Sequence, residues 1–372
     1  MKSITLTSEQ LNAKNGILEA LNDPYCREMS LTGWAGCGKT SVLSHIIQSD
    51  QVRRLRSRVM APTGKAASVL GRKLKGTEVK TVHSTIYSPF EGEDGGVRFS
   101  FQGIDPTVRL LICDEASMVT PRIQEDLLDS RAKILWVGDP GQLPPVGAKS
   151  GYSALDQDHN FHLNKIHRQA KDNPIISLSS SIRKGGTMKL CSGDKLNVVS
   201  KIRSKKRLDN IIEDHDILLC GYNKTRKMLN ERARRLFSRS GEVVAEDDWM
   251  CVLKNHKFAG VMNGERFRVD RVIEELGHRL YKICVVMEGG EDRVLDIYLI
   301  TGDPEIDNQY TKSKVELDSP VVVDYGYAMT VHKSQGSEWE SVFVFDEPIR
   351  GDATPWRYTA ITRASDRLTY AK

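Results

Sequence analysis

Residues 33–40 read GWAGCGKT, which matches the spacing Gly-x-x-x-x-Gly-Lys-Thr of a phosphate-binding loop. Clustered phosphate charge is bound by backbone N–H groups at the start of a helix, and glycines let the backbone approach that closely. Lys39 supplies a cation, and Thr40 supplies a hydroxyl that could hold Mg²⁺. The segment therefore predicts a nucleoside triphosphate site whose contacts come from Gly36, Cys37, Gly38, Lys39, Thr40 and Ser41.

Two further apolar segments end in residues that could complete a hydrolytic centre. Residues 111–118 read LICDEASM, where Asp114 could hold magnesium through water and Glu115 could accept a proton from the attacking water. Residues 138–146 read GDPGQLPPV, where Gln142 could sense the γ-phosphate; the alternative is a proline-stiffened turn. The residue types predict phosphoryl transfer to water.

The elements that must position these residues alternate between strand and helix. Short apolar strands are predicted to end near residues 33, 61, 113 and 138, with helices such as 8–21 and 64–74 between them. A second alternating region has strands at 216–220 and 341–345 and a basic helix at 224–237. Apolar strands separated by helices indicate parallel sheets covered on both faces, so the fold class is α/β.

Segments rich in β-formers interrupt the second region, and they predict a small all-β insert. The acidic, glycine-rich stretch 91–96 is flanked by Phe90, Phe99 and Phe101; it could be a flexible loop, but the aromatic residues on both sides are at least as consistent with a hairpin. We therefore predict a first domain at 1–165 with a hairpin at about 85–105, a second domain at 166–245 and 319–372, and a β insert at 246–318.

Composition describes an ordinary soluble chain. The 372 residues exceed what one core normally serves, and the formal charge of +5 is too small to identify a partner. No apolar run approaches membrane-spanning length, and the first residues lack the apolar core of a signal peptide. The seven cysteines occur without a Cys-x-x-Cys pair, which favours free, reduced thiols over a zinc site. Together with the lack of a signal peptide or membrane span, this predicts a cytoplasmic location.

The order of these motifs resembles that of the superfamily one DNA helicases, in the RecD- and Dda-like branch that translocates 5′ to 3′. The resemblance is carried by LTSEQ at 6–10, APTGKAA at 61–67, KTVHS at 80–84, HRQ at 167–169, TVHKSQGSEWE at 330–340 and YTAITRA at 358–364. It implies two RecA-like parallel-sheet motor domains, a β-hairpin wedge and a small SH3-like β-barrel insert. It implies ATP and Mg²⁺ as the ligands of the phosphate loop.

The resemblance also assigns residues to the nucleotide. Gln10 would read adenine, and Glu338 would touch the ribose, with Gly336 beside it. Arg168 and Arg363 would reach the transferring phosphoryl group from the second domain, where extra cations are needed.

Single-stranded DNA would lie across both α/β domains. The implied contacts are Pro62, Thr63, Thr81, His83, Thr330, His332 and Lys333, and the implied wedge comprises Pro89, Phe90, Phe99 and Phe101. Each histidine considered alone is more often a structural residue. The basic runs at 201–207 and 226–239 could track DNA, or they could be solvated helix faces.

These observations together predict an ATP-dependent DNA helicase that separates duplex strands. Its partners would be single-stranded DNA, forked or tailed duplex DNA, and replication or recombination proteins, with no membrane and with activity as a monomer. A small-molecule kinase is one rival, but it has no use for a second domain with two arginine motifs. A non-enzymatic single-strand binding module is the other, but it does not need Lys39, Asp114 and Glu115 together.

Overall fold

A computed structural model describes residues 5–91, 97–145, 147, 152–166, 173–200, 202, 204–237, 239, 241, 243–348 and 353–372. The chain divides into two compact units. The first unit is Met1–Ser88 with Phe99–Asn173, and the second is Pro89–Arg98 with Pro174–Lys372. Each unit is described by itself.

The first unit is built on a six-stranded sheet in which every described pairing is parallel. The elements up to residue 163 are α1 (Ser8–Ala20), β1 (Glu28–Gly33), α2 (Lys39–Ile47), α3 (Asp50–Arg54), β2 (Ser57–Ala61), α4 (Gly64–Lys73), β3 (Val79–Thr81), α5 (Val82–Ile86), β4 (Tyr87–Glu91), β5 (Val97–Phe101), β6 (Leu110–Cys113), α6 (Pro121–Leu128), β7 (Lys133–Gly138) and β8 (Asn160–Leu163). The strand order is β3-β2-β6-β7-β1-β8. Strands β4 and β5 pair as a separate two-stranded sheet, and their residues 89–91 and 97–98 are grouped with the second unit.

Both faces of this sheet are buried, as its continuous apolar strands predict. Leu110 and Ile112 of β6 belong to one apolar cluster, whereas Leu111 and Cys113 belong to the cluster on the other face. Alternate residues of a strand point to opposite faces, so a strand that is covered twice must be apolar throughout. The sequence-based prediction of a parallel α/β sheet is confirmed.

All but one of the described helices in the first unit begin with a side-chain N-cap. Serine or threonine hydroxyls cap α1, α3, α4, α5 and α6 by accepting a backbone N–H of the first turn. Among the helices described in this unit, only α2 follows a residue without a side chain, Gly38. The first amide groups of α2 are therefore left for a ligand rather than for a cap.

The second unit contains a five-stranded parallel sheet and a closed five-stranded barrel. Its elements are α7 (Pro174–Arg183), β9 (Leu196–Val199), α8 (Lys205–Asp214), β10 (Ile217–Cys220), α9 (Asn223–Leu236), β11 (Trp249–Val252), β12 (Arg266–Gly277), β13 (Leu280–Met287), β14 (Asp292–Leu299), α10 (Pro304–Thr311), β15 (Val321–Tyr325), β16 (Ala328–Thr330), β17 (Trp339–Phe345), α11 (Ala353–Ile361) and β18 (Ala364–Ala371). The sheet order is β16-β10-β17-β18-β9, and the barrel comprises β11 to β15.

The barrel confirms the predicted β insert but extends past its predicted end at residue 318. Strand β15 closes the barrel by pairing with β11 and β14. The apolar run of β15 resembles a strand of the parallel sheet, and only Gly326 and Tyr327 separate β15 from β16. The sequence pattern therefore did not show that β15 belongs to the barrel and β16 to the sheet. A Cβ on Gly326 would lie 2.8 Å from the carbonyl carbon of Met250, so this tight switch from barrel to sheet requires glycine.

Two of the arginines in the basic helix α9 are structural, which neither sequence alternative anticipated. Arg226 pairs with Asp324 at 2.7 Å, and Arg234 makes a bidentate pair with Asp248, at 3.1 and 3.0 Å. Arg226, Arg234 and Asp248 are buried. The basic run is thus in part the anchor between α9 and the barrel. Residues 201 and 203 of the other basic run lie outside the described residues, and Lys205 to Arg207 form the exposed first turn of α8.

We expect Arg234→Ala to destabilise the second unit by about 3–5 kcal/mol, because the fully buried Asp248 would lose its charged partner. Arg235 is the next residue of the same helix and is exposed, so Arg235→Ala should change stability by no more than about 0.5 kcal/mol. Urea unfolding of both variants measures the difference. Equal stability of the two would show that the Arg234–Asp248 pair does not hold the barrel to the helix.

Within the described residues, no helix is both long and apolar enough to cross a bilayer.

Candidate nucleotide site and nucleic-acid residues

The phosphate loop leaves β1 and enters α2 through two glycines in the left-handed region. Gly36 has φ 82° and Gly38 has φ 87°. The backbone conformation of Gly38 disfavours any side chain there, and a Cβ would also lie 2.3 Å from Nε2 of Gln10 and displace that amide. Lys39 folds back over the loop, and its Nζ donates to the carbonyl oxygens of Gly33 at 2.7 Å and Trp34 at 3.2 Å. Its charge is therefore held among the loop's own backbone atoms.

Gln10 contacts the phosphate loop directly. Its Nε2 donates to the carbonyl oxygen of Cys37 at 3.0 Å, and its Oε1 accepts the backbone N–H of Thr7 at 3.0 Å. The second bond is half of a capping box that begins α1, and Gln10 is only 5% exposed. Sequence reasoning placed Gln10 at adenine, which remains a prediction; its contact with the loop was not foreseen.

The two predicted carboxylates follow β6, which is separated from β1 only by β7. Because the strands are parallel, their carboxyl ends meet at one edge, and the turns after β1, β6 and β7 lie side by side. Burial and the neighbouring Glu115 charge raise the pKa of Asp114 to about 7, while Lys39 acts in the opposite direction. A divalent cation at this position would favour the charged carboxylate, so Asp114 fits the role of a magnesium ligand.

Glu115 has a backbone conformation that is rare outside glycine. Its φ of 53° and ψ of 37° lie in the left-handed region, directly before the short 3₁₀ turn Ala116–Met118. Such a conformation costs of the order of 1 kcal/mol and persists where the surroundings enforce it. Gly138 at the end of β7 lies close to this turn, since a Cβ there would lie 3.3 Å from the backbone nitrogen of Ala116. Strain of this kind is common at catalytic residues.

The turn after β7 brings Gln142 to the same edge. Gln142 is 7% exposed, and its Oε1 is buried without a hydrogen-bond partner among the described residues. A buried acceptor of this kind costs about 1–3 kcal/mol unless a ligand or water donates to it. The unpartnered oxygen can accept a hydrogen bond from a water beside the γ-phosphate, and the sensor role of Gln142 stays a prediction.

Asp139 was missed by sequence reasoning. It is fully buried, accepts the backbone N–H of Gly141 at 2.9 Å and so fixes the turn that carries Gln142. Burial raises the pKa of the Cys37 thiol, and the Asp139 charge adds to that rise, so this carboxylate also lies near the phosphate loop. The Gly-Asp-Pro-Gly run after a predicted strand was the available signal.

The predicted nucleic-acid residues of the first unit lie at the carboxyl ends of β2 and β3, on the side of β6 away from the phosphate loop. Pro62 and Thr63 follow β2, and the Thr63 hydroxyl caps α4 by accepting the N–H of Ala66 at 3.2 Å. Thr81 ends β3 and caps α5 in the same way. His83 lies in α5 and is exposed. Both hydroxyls thus have structural duties besides any contact with phosphate.

Strands β4 and β5 form the predicted hairpin. Phe90, Phe99 and Phe101 are 48%, 59% and 41% exposed, and Pro89 is exposed as well. The Tyr87 ring packs edge to face against Phe101, with ring centroids 6.1 Å apart, so Phe101 has a packing partner at the start of β4. The acidic tip at 92–96 lies outside the described residues. Exposed aromatics on a short hairpin are suited to stacking on nucleobases.

The remaining predicted residues belong to the second unit, apart from Arg168, which lies outside the described residues. Arg363 is buried, and its Nε donates to the Thr359 carbonyl at 3.0 Å. Its Nη1 donates to the Ser337 carbonyl at 2.9 Å, so the guanidinium is fixed against the chain that carries Gly336 and Glu338. Gly336 has φ 77°, and Glu338 is exposed.

Thr330 is the last residue of β16, and His332 and Lys333 lie in the turn that follows, so all three are at the carboxyl edge of the second sheet. Lys333 is exposed, whereas Thr330 is buried and its hydroxyl accepts the N–H of Lys333 at 3.4 Å. Burial lowers the pKa of His332. This turn therefore offers one fixed positive charge and one imidazole that is neutral at pH 7.

Comparison with known proteins agrees with this arrangement. The sequence profile of the AAA domain matches residues 5–204, just over half of the 372 residues, and the chain belongs to that family. The profile of the UvrD-like helicase C-terminal domain matches residues 325–369. Both matches agree with the order of the sequence motifs, which resembles that of the superfamily one helicases in the RecD- and Dda-like branch.

The ATP-dependent RecD2 DNA helicase of Deinococcus radiodurans is 29% identical over an alignment that covers 92% of this chain and 46% of that protein. The ATP-dependent DNA helicase Dda of phage T4 is 29% identical over 48% of this chain and 43% of its own length. This chain thus spans about half the length of these curated relatives. The crystal structure of Bacteroides Pif1 bound to single-stranded DNA shares the fold, with a TM-score of 0.63, 20% identity and coverage of 99% of this chain and 92% of that one.

Proposed function

We propose that this protein is an ATP-dependent DNA helicase that translocates on single-stranded DNA 5′ to 3′ and separates duplex strands. One observation carries the proposal: the phosphate loop, the Asp114–Glu115 pair and Gln142 occupy adjacent turns at one edge of a parallel sheet. The second parallel sheet carries Arg363 and the turn with Lys333, which a nucleotide-binding domain alone would not require.

Each residue has a role that its surroundings support. The amides at the start of α2 and the Lys39 ammonium would bind the β- and γ-phosphates. Thr40 and Asp114 would hold Mg²⁺, which when bound neutralises phosphate charge. Glu115 would accept a proton from the attacking water, which Gln142 would orient through its buried amide. Arg363, with Arg168, would stabilise charge on the transferring phosphoryl group, a contribution of about 10³–10⁵ in rate in related phosphate-loop enzymes.

The duplex-separating role rests on the hairpin and the two sheet edges. Single-stranded DNA would contact Thr63, Thr81 and His83 from the first unit and His332 and Lys333 from the second. Forked or tailed duplex DNA would meet the exposed phenylalanines of β4 and β5. RecD2 and Dda are described as DNA helicases, and this chain would do the same work.

Two measurements test the proposal. ATP hydrolysis should be slow without DNA and strongly stimulated by a single-stranded oligonucleotide, because bound DNA would bring the arginines to the nucleotide. Equal rates with and without DNA would favour the small-molecule kinase. Unwinding of duplexes with a 5′ tail, and not of matched duplexes with a 3′ tail, would establish polarity, and the reverse preference would refute it.

We expect Lys333→Ala and His332→Ala to weaken single-strand binding in different ways. Lys333→Ala should reduce the slope of log affinity against log salt by about 0.7, the value for one neutralised phosphate on single strands. At pH 7.5 His332→Ala should lower affinity by about tenfold without changing that slope, because burial lowers its pKa below the usual 6.5 and leaves the ring neutral.

Salt titrations of a fluorescent oligonucleotide at pH 7.5 measure both effects, with Lys189→Ala as the matched control, because Lys189 is exposed and lies outside both basic runs. Acidification well below pH 6.5 should add a salt-dependent contribution from His332, since protonation creates a second charge. An unchanged slope and affinity in Lys333→Ala would refute its backbone contact.

Further parts of the proposal have their own supports. All seven cysteines are free thiols, which is typical of a reducing compartment such as the cytoplasm. We expect activity as a monomer, because one chain carries both sheets, and association with replication or recombination proteins. Sedimentation with a forked duplex, at protein concentrations where unwinding is measured, tests the stoichiometry.

A further inference from the structure

Trp339, the first residue of β17, joins the barrel to Arg363. Its indole Nε1 donates a 2.6 Å hydrogen bond to Oε1 of Glu288, which follows barrel strand β13. Its backbone N–H donates to the carbonyl oxygen of Arg363 at 2.9 Å. Arg363 in turn donates to the carbonyl of Ser337, two residues before Trp339. Trp339 and Arg363 are 7% and 5% exposed, so these bonds form in a protected interior.

Glu288 is itself held in place from the barrel side. Nη1 of Arg266 donates to the same Oε1 at 3.2 Å, and Nη2 donates to the carbonyl of Asp216, just before β10, at 3.1 Å. The guanidinium carbon lies 4.4 Å from the Trp249 ring centroid and 5.8 Å from that of Trp339. Arg266 is 1% exposed, and a buried charge cannot leave its partner cheaply. The acceptor for Trp339 is thus fixed.

A bulge gives the tryptophan its position. Trp339 is opposite Ala364 in the β17–β18 ladder, but Ser341 is opposite Arg367, so β18 carries one extra residue there. Ser365, within this bulge, donates from its hydroxyl to the Trp339 carbonyl at 3.1 Å. Bulges next to functional sites turn side chains toward their targets. This one sets the backbone directly after Arg363.

We propose that Trp339 is a positioning residue for Arg363, and that Glu288 and Arg266 of the barrel hold it in place. The proposal rests on the proposed function, because it assumes that Arg363 acts on the transferring phosphoryl group. The barrel then has a role in ATP hydrolysis although it contributes no residue to the nucleotide. Arg363 is held at two points by the segment 337–339: its carbonyl accepts the N–H of Trp339, and its guanidinium donates to the carbonyl of Ser337.

The test uses the whole protein and a double-mutant cycle. Trp339→Phe keeps an aromatic ring beside Arg266 and removes the N–H that reaches Glu288. It should lower the DNA-stimulated kcat by about tenfold with an unchanged KM for ATP, since a small misplacement of a catalytic group is costly. In an Arg363→Ala background, measured by single-turnover hydrolysis, the same substitution should cause no further loss, because residues that act through one group are not additive.

Three variants accompany the cycle. Trp249→Phe is the matched control: its ring also stacks on Arg266, but it is not joined to Arg363, and its kcat should equal that of the wild type. Glu288→Gln keeps an acceptor oxygen and should remain within about twofold of the wild type. Glu288→Ala removes the same hydrogen bond from the barrel side and should cause the same loss of kcat. It replaces Trp339→Phe in the cycle if that variant does not fold. Thermal melting establishes that each variant is folded.

An equal loss from Trp339→Phe in both backgrounds would overturn the proposal, because the tryptophan would then act on something other than Arg363. An unchanged kcat in folded Trp339→Phe would overturn it as well. If Arg363→Ala leaves hydrolysis unchanged while DNA still stimulates it, the positioning role fails but the helicase assignment stands. If the wild type shows no DNA-stimulated hydrolysis, the proposed function itself fails.

Discussion

Glu115→Gln should reduce DNA-stimulated ATP turnover by about 10²–10⁴-fold, the usual contribution of a general base, while nucleotide affinity stays near that of the wild type. Glutamine has nearly the same shape and can occupy the left-handed backbone position at φ 53° about as well as glutamate. It cannot take a proton from water. The two measurements, turnover and binding of a fluorescent nucleotide, should therefore separate.

Two companion variants make this result specific. Lys39→Ala should abolish hydrolysis and weaken binding together, because it removes the cation that the phosphates need. Glu125→Gln, at an exposed position of α6, is the matched control and should leave both quantities unchanged. Loss of nucleotide binding in Glu115→Gln would mean that Glu115 supports the turn before Ala116 and is not the base.

Replacing Phe90, Phe99 and Phe101 together by alanine should lower strand separation by at least about tenfold, while single-strand-stimulated ATP hydrolysis changes little. A translocating motor opens a fork when an apolar side chain covers the last base pair, and stacking on a base is worth about 1–3 kcal/mol. The three rings are 41–59% exposed, so their removal leaves no large cavity. Base pairs opened per ATP hydrolysed is the quantity to measure.

Tyr25 offers the control for this triple variant. It is 92% exposed and lies in the first unit outside the hairpin, so Tyr25→Ala removes an exposed aromatic without touching β4 or β5. Melting curves check that the triple variant is folded. Unwinding per ATP that survives the loss of all three rings would show that the hairpin is not the wedge.

The positions of the turns that carry the candidate catalytic residues were predictable from the sequence, because each turn follows a buried strand. In LICDE and KILWVG the apolar run ends where polar residues begin, and parallel strands place their carboxyl ends at one edge. The hairpin was one of two interpretations of the aromatic residues around the glycine-rich stretch, and the pairing of β4 with β5 decides for it. Local chemistry and chain direction sufficed to place Lys39, Asp114, Glu115 and Gln142 at one edge of the sheet, and their roles stay predictions.

Contacts between distant segments were not accessible in this way. The bond from Gln10 to the Cys37 carbonyl joins residues 27 positions apart, and the Arg226–Asp324 pair joins residues 98 apart. The basic composition of α9 predicted contact with either solvent or DNA. In the structure Arg226 and Arg234 are instead buried against the barrel, where they pair with Asp324 and Asp248. Sequence periodicity gives the face of a helix but not the partner that the face receives.

The placement of the barrel within the second sheet has a consequence for the order in which the chain folds. Strand β10 pairs with β16, so Leu218 must find Ala328 across about 110 residues. The barrel's first and last strands are neighbours, with Met250 opposite Tyr325. A barrel that forms early shortens the open loop to about a third, which lowers the entropy cost of closure by about 1 kcal/mol. Early barrel formation would therefore bring β10 and β16 close together and favour their pairing.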